Sequence, residues 1–132
     1  MQIPINSHLA ELFILLFLII TFGVSVIEKL MEWKGTISYI KETFKNTFVK
    51  SFIKPLVGFL LVLEVFSLLF LIIGVYQLFY FEEKTVALLG CVLSIISILY
   101  MLVGQRIAKD YPGATSLAVY FLICVFGVSL LN

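Results

Sequence analysis

The sequence predicts an all-α membrane protein: a four-transmembrane-helix bundle with an amphipathic interfacial helix between the first and second spans. Three observations predict it. The 132 residues are 62% apolar and only 13% charged, about half the charge of an ordinary soluble domain. Mean hydropathy is +1.17. The apolar residues also fall in four long blocks rather than in alternation, which leaves no room for a separate soluble domain. Backbone groups in hydrocarbon must be satisfied within their own segment, so each block is read as a helix. Residues 1–132 form one integral membrane domain.

The first span is expected over residues 9–31. No Lys or Arg occurs between Met1 and Thr21, and no small-x-small cleavage site follows the apolar run. The block is also long for a signal-peptide core, so it reads as a retained span. His8 and Glu11 stand one turn apart at its start. A metal site would need more donors, and an interfacial polar cap is expected instead.

Residues 33–54 do not read as a span. Ile37, Ile40, Phe44, Phe48 and Phe52 recur at steps of three and four, while Lys34, Lys41, Lys45 and Lys50 lie mostly off that line. This is a helical period with a basic face. It predicts a surface helix over about 35–53, starting near Gly35 and Thr36. Lys54-Pro55 should end it, because a residue before proline avoids the α region.

The second span, 55–79, carries the most informative residue of the chain, Glu64. At ~1.5 Å per residue the run crosses a hydrocarbon core of ~30 Å, and Glu64 lies about 13 Å from the Pro55 end. A charge near the midplane costs roughly 2.5–3.5 kcal/mol on insertion scales, so a bystander carboxylate is not expected there. The third span is read over 86–104. The fourth, over 115–131, is near the lower limit for crossing. Pro112-Gly113 marks a turn in the loop before it.

Charge distribution gives an orientation. Loops one and three carry Lys29, Lys34, Lys41, Lys45, Lys50, Lys54, Arg106 and Lys109, eight of the nine basic side chains, against Lys84 alone on the other side. The positive-inside rule then places these loops in the cytoplasm and both termini outside. Tyr76, Tyr80 and Phe81, with Trp33 at the opposite face, fit interfacial aromatic belts. The net charge of +1 selects no partner, and no nucleic acid is expected. Cys91 and Cys124 lie in different spans without a CxxC pattern and read as apolar packing groups, with a disulfide or redox pair as the alternative.

Polar residues line up inside the spans. Glu64, Ser67, Leu71, Gly74 and Gln77 share one face of the second; Thr21, Ser25 and Glu28/Lys29 share one of the first. Gly90, Ser94, Ser97, Met101 and Gly104 form a small-residue stripe on the third. Small and hydroxyl residues are normal packing faces in membranes. A carboxylate is not required for packing. Glu64, Lys29, Ser67 and Gln77 are therefore the candidate buried polar or ligand-binding residues. Lys29 either snorkels to the interface or turns inward to Glu64. A pair would fix the register of two helices, whereas a carboxylate with a function of its own would accept a proton or orient a ligand.

The stretches Phe22-Gly-Val-Ser-Val-Ile-Glu-Lys-Leu30, Pro55, and Leu63-Glu-Val-Phe-Ser-Leu-Leu-Phe-Leu-Ile-Ile-Gly74, with the last third over 105–126, resemble the DoxX family of small four-span bacterial membrane proteins. The resemblance covers nearly the whole chain. It implies a bacterial cytoplasmic (inner) membrane protein. Some members are similar to subunits associated with thiosulfate:quinone oxidoreduction, others to sulfur or oxidative-stress complexes. Lys29, Glu64 and Gly74 are the residues that match the family pattern.

Three functions compete. The first is an accessory subunit of a membrane-bound, redox-linked complex, docked on another membrane protein or on further copies of itself and non-catalytic alone. The chain carries one His and no CxxC, Rossmann or phosphate-loop motif. The second is a bundle that binds a quinone or another lipid-like molecule, oriented by Glu64 and nearby hydroxyls. The third is an oligomeric transporter or proton conductor using Glu64.

Overall fold

The computed structural model describes residues 5–132, with side chains described from Leu9 onward. The side chain of His8 lies outside the described residues. Five α-helices follow in order: α1 (Ile5–Met31), α2 (Trp33–Thr43), α3 (Ile53–Phe81), α4 (Thr85–Ile107) and α5 (Tyr111–Leu131), with a short 3-10 turn at Lys50–Phe52 before α3. α1, α3, α4 and α5 are each long and apolar enough to cross a membrane. The protein is an all-α, four-helix, multi-pass membrane bundle.

The outer faces of the long helices are apolar as well. Phe13, Ile20, Ile27, Phe59, Phe66, Val103, Leu122 and Phe126 are all exposed. In water such faces would demand a partner, and in a bilayer they meet lipid. The interior is a continuous cluster around Leu15, Leu18, Phe22, Leu71, Leu78, Cys91, Ile98 and Cys124. Both cysteines are free and buried within it.

The bundle is a ring, α1–α3–α4–α5, with one tight side and one loose one. α3 and α4 share the most extensive interface, and the seam between α5 and α1 is the slightest of the four. The tight side has a cause in glycine. A Cβ on Gly74 would lie 2.5 Å from the Ala87 Cα, and one on Gly90 would lie 3.0 Å from the Leu71 backbone nitrogen. Small residues let the two backbones approach, which is how helices associate when lipid removes the hydrophobic drive. Across the same interface Ser67 and Ser97 stand 3.4 Å apart, and the Tyr100 hydroxyl donates to the Leu56 carbonyl at 2.6 Å.

The helix ends correct several sequence expectations. Pro55 does not close the surface helix; it sits in the first turn of α3, where proline's missing N–H would be unpaired in any case. Pro112-Gly113 is likewise not a loop turn. Asp110 caps α5 by accepting the Gly113 N–H at 3.1 Å, and Pro112 lies in the first helical turn. α5 thus gains a turn over the expected 115–131 and reaches about 31 Å, enough to span. The two short loops reverse through left-handed residues, Glu82 (φ 56°) and Lys109 (φ 61°). At the second of them the Arg106 guanidinium stacks over the Tyr111 ring, 5.1 Å from its centre.

The surface helix is shorter than its periodicity suggests. It starts at Trp33, before Gly35, and stops at Thr43 instead of running on to 53. Beyond it come turns in which the Thr47 hydroxyl donates to the Phe44 carbonyl at 2.7 Å. Asn46 and Thr47 hydrogen-bond locally outside a helix as readily as in it, so the apolar spacing alone does not carry the helix through them. Ile37 is buried against Ile53 and Val57, with Trp33, Ile40 and Phe44 around them. Phe48 and Phe52, expected on the same buried line, are exposed instead.

Candidate functional site: a buried lysine–glutamate clasp beside an open cleft

Glu64 is completely buried, held between α3 and α1. Lys29 donates to Oε1 at 3.0 Å and to Oε2 at 3.3 Å. Ser25, one turn before Lys29 on α1, donates to Oε2 at 2.7 Å and accepts from Lys29 at 2.6 Å. The ammonium thus meets the Ser25 hydroxyl on one side and straddles the carboxylate on the other, and both carboxylate oxygens accept. Among the described residues no buried side-chain nitrogen or oxygen lacks a partner. The network is closed, as an ion pair in low dielectric must be if its attraction is to offset desolvation. Lys29 keeps 13% of its side chain exposed while Glu64 keeps none.

The remaining sequence candidates do not join this network. Ser67, one turn beyond Glu64, donates to the Leu63 carbonyl at 2.8 Å and faces Ser97. Ser94 and Ser97 bond backward in the same manner, to the Gly90 and Leu93 carbonyls. Gln77 is half-buried, about 20 Å further along α3 than Glu64. Ser25 is the residue that sequence reasoning left out of the site. Its signal was present, as a hydroxyl four residues before the lysine and so on the same helical face. Glu11, expected at an interfacial cap, is buried at 7% exposure.

A second feature adjoins the clasp. At the loose α1–α5 seam a cleft of about 230 Å³ opens, lined by Leu18, Thr21 and Ser25 of α1, Ile98 and Met101 of α4, and Tyr120 of α5, among others. Its walls are mainly apolar. Thr21 spends its proton on the Phe17 carbonyl and Ser25 on Glu64, so both face the cleft as acceptors. The Tyr120 ring leans on Phe17 at 6.0 Å between centres, and no hydrogen bond within the chain is recorded for its hydroxyl among the described residues. Glu28 stands exposed at the rim. No three His, Cys, Asp or Glu side chains among the described residues converge on a metal position.

Fold and site together define a four-helix membrane bundle with a polar clasp beside an open, mainly apolar cleft. Comparison of the chain with protein-family models, curated proteins and solved structures finds no match.

Proposed function

We propose that the protein is a small membrane subunit that holds a lipid-soluble, oxygen-bearing ring, of which a quinone is the foremost chemical class, in the cleft between α1, α4 and α5. The carrying observation is the cleft itself, with an uncommitted Tyr120 hydroxyl on one wall and hydroxyl acceptors on another. Its volume is below the ~300 Å³ at which sites for drug-sized ligands begin. A ring would be enclosed and its tail would follow the helix surface into lipid. Tyr120 would donate to a carbonyl oxygen, and Thr21 or Ser25 would accept from a reduced ring's hydroxyl. Electron transfer would need a redox partner, which joins this reading to the accessory-subunit role that the DoxX resemblance implies. The proton-conductor reading has less support, since both Glu64 oxygens are engaged within the clasp.

Protein purified from native membranes should carry close to one quinone per chain. Met101→Trp, which fills the cleft, should abolish retention. Tyr120→Phe should weaken a short-tailed quinone about tenfold, the effect of one lost hydrogen bond. Quinone-free wild-type protein that also fails to bind added quinone would overturn the proposal, as would full retention in Met101→Trp.

We further propose a bacterial cytoplasmic membrane, with loops one and three on the cytoplasmic side, on the basic-residue asymmetry. Cys91 and Cys124 are buried, so single cysteines at other sites can be read against a quiet background. Glu83→Cys should be labelled from outside intact cells and Lys45→Cys should not. The opposite pattern would reverse the orientation.

A further inference from the structure

We propose that a basic cleft on the surface helix binds the phosphate headgroup of an anionic membrane lipid. Lys34, Ile37, Ser38 and Lys41 fall on one face of α2, at steps of three and four. Burial of Ile37 against Ile53 and Val57 turns that face toward the start of α3. Lys54 and Trp33 complete the lining of an open surface cleft of about 350 Å³.

Each polar side chain of this cleft can donate a hydrogen bond, and none carries negative charge. Lys34, Lys41 and Lys54 bring three ammonium groups, with the Ser38 hydroxyl and the indole N–H of Trp33 beside them. No carboxylate lines it. The ion pairs recorded among the described residues are Lys29 with Glu64 and Lys45 with Glu42, so the three lysines of the cleft carry uncompensated charge. Three cationic side chains lining one mainly apolar cleft suit a phosphate diester.

The position selects a lipid over a soluble anion. Lys54 lies in the first turn of the membrane-crossing α3, and α2 follows directly on α1. Leu30 and Met31 before the cleft and Phe52 beside Lys54 are all exposed apolar side chains, placed to meet acyl chains. Basic pockets at helix ends on the cytoplasmic face are typical sites for anionic headgroups.

Trp33 is the one tryptophan of the chain and lines the cleft, so it reports occupancy directly. The full-length protein is reconstituted in phosphatidylcholine bilayers containing a minor fraction of tail-brominated phosphatidylglycerol or, in parallel, tail-brominated phosphatidylcholine. Quenching of Trp33 should show the anionic lipid enriched about fivefold around it, the effect of roughly one well-placed lysine. The preference should vanish in Lys34→Gln/Lys41→Gln/Lys54→Gln. It should persist in the charge-keeping arginine triple and in Lys45→Gln/Lys50→Gln/Lys109→Gln. Equal quenching by the two lipids in the wild-type protein would overturn the proposal without reference to any variant. A preference that survives neutralisation of the three cleft lysines would also overturn it. Loss of the preference on adding inorganic phosphate, at ionic strength matched with chloride, would assign the cleft to a free anion instead of a lipid.

Discussion

Lys29→Met should be the most damaging single substitution near the clasp, lowering stability by ~3–5 kcal/mol, the usual cost of stranding a buried charge. Glu64 has no exposure, so its carboxylate would keep only the Ser25 hydroxyl. Glu64→Gln should cost less. Lys29 retains partial exposure near the end of α1, and its flexible stem can carry the ammonium to the headgroups. The double variant Lys29→Met/Glu64→Gln should recover much of the loss, because no lone charge remains. The measurement is a denaturant or thermal unfolding series in one detergent, arranged as a double-mutant cycle. Simple addition of the two single effects would mean that the pair is not coupled. Ligand retention in the double variant separates roles: a clasp that only sets register leaves a quinone bound once the fold returns, and a ligand-orienting carboxylate does not.

Gly74→Ala should separate α3 from α4, at ~1–3 kcal/mol for a methyl forced into a filled interface. The added carbon would meet the Ala87 Cα at 2.5 Å and its nitrogen at 2.7 Å. These are backbone atoms, so no rotamer change relieves the overlap and one helix must shift. Gly58→Ala is the matched control, since nothing lies within 4 Å of its Cβ position. That variant should be neutral or slightly stabilising, as alanine favours the helix over glycine. Equal unfolding midpoints for Gly74→Ala and the wild type would remove close approach at Gly74 as the basis of the tight side.

Hydropathy made the four long helices legible, because bilayer thickness imposes a length that few other causes produce. The interior position of Glu64 was legible for the same energetic reason; the antiparallel neighbour made Lys29 a candidate partner, but a lysine that snorkels to the interface fits the same sequence. The hydroxyls were harder. A serine within a membrane helix can bond its own turn or a neighbouring helix at similar cost, so sequence placed Ser67 beside Glu64 when its proton goes to Leu63. Ser25, with the same chemistry, reaches across. Gln77 shared a helical face with Glu64, but a shared face does not make residues neighbours along the axis. The second span was read as opening at Pro55, close to the true start at Ile53, but Lys54-Pro55 was also read as the stop of the surface helix and Pro112 as a loop turn, because proline both ends helices and opens them. The cleft had no sequence signal. It arises from how loosely α1 meets α5, which depends on the shapes of side chains from three helices at once.

The connectivity gives the clasp a meaning for assembly. α3, α4 and α5 are joined by loops so short that their hairpins close at little entropic cost, while α1 is tethered through the long connection over 32–52. Helices that insert singly and then associate find partners by whatever contact is most selective. For α1 the charged contact with the rest of the bundle is the salt bridge from Lys29 to Glu64. The bundle thus joins three hairpin-linked helices to a fourth on a longer tether, with a polar latch between them. Severing the chain in the connection between α1 and α3 leaves two pieces that still carry complementary halves of that latch.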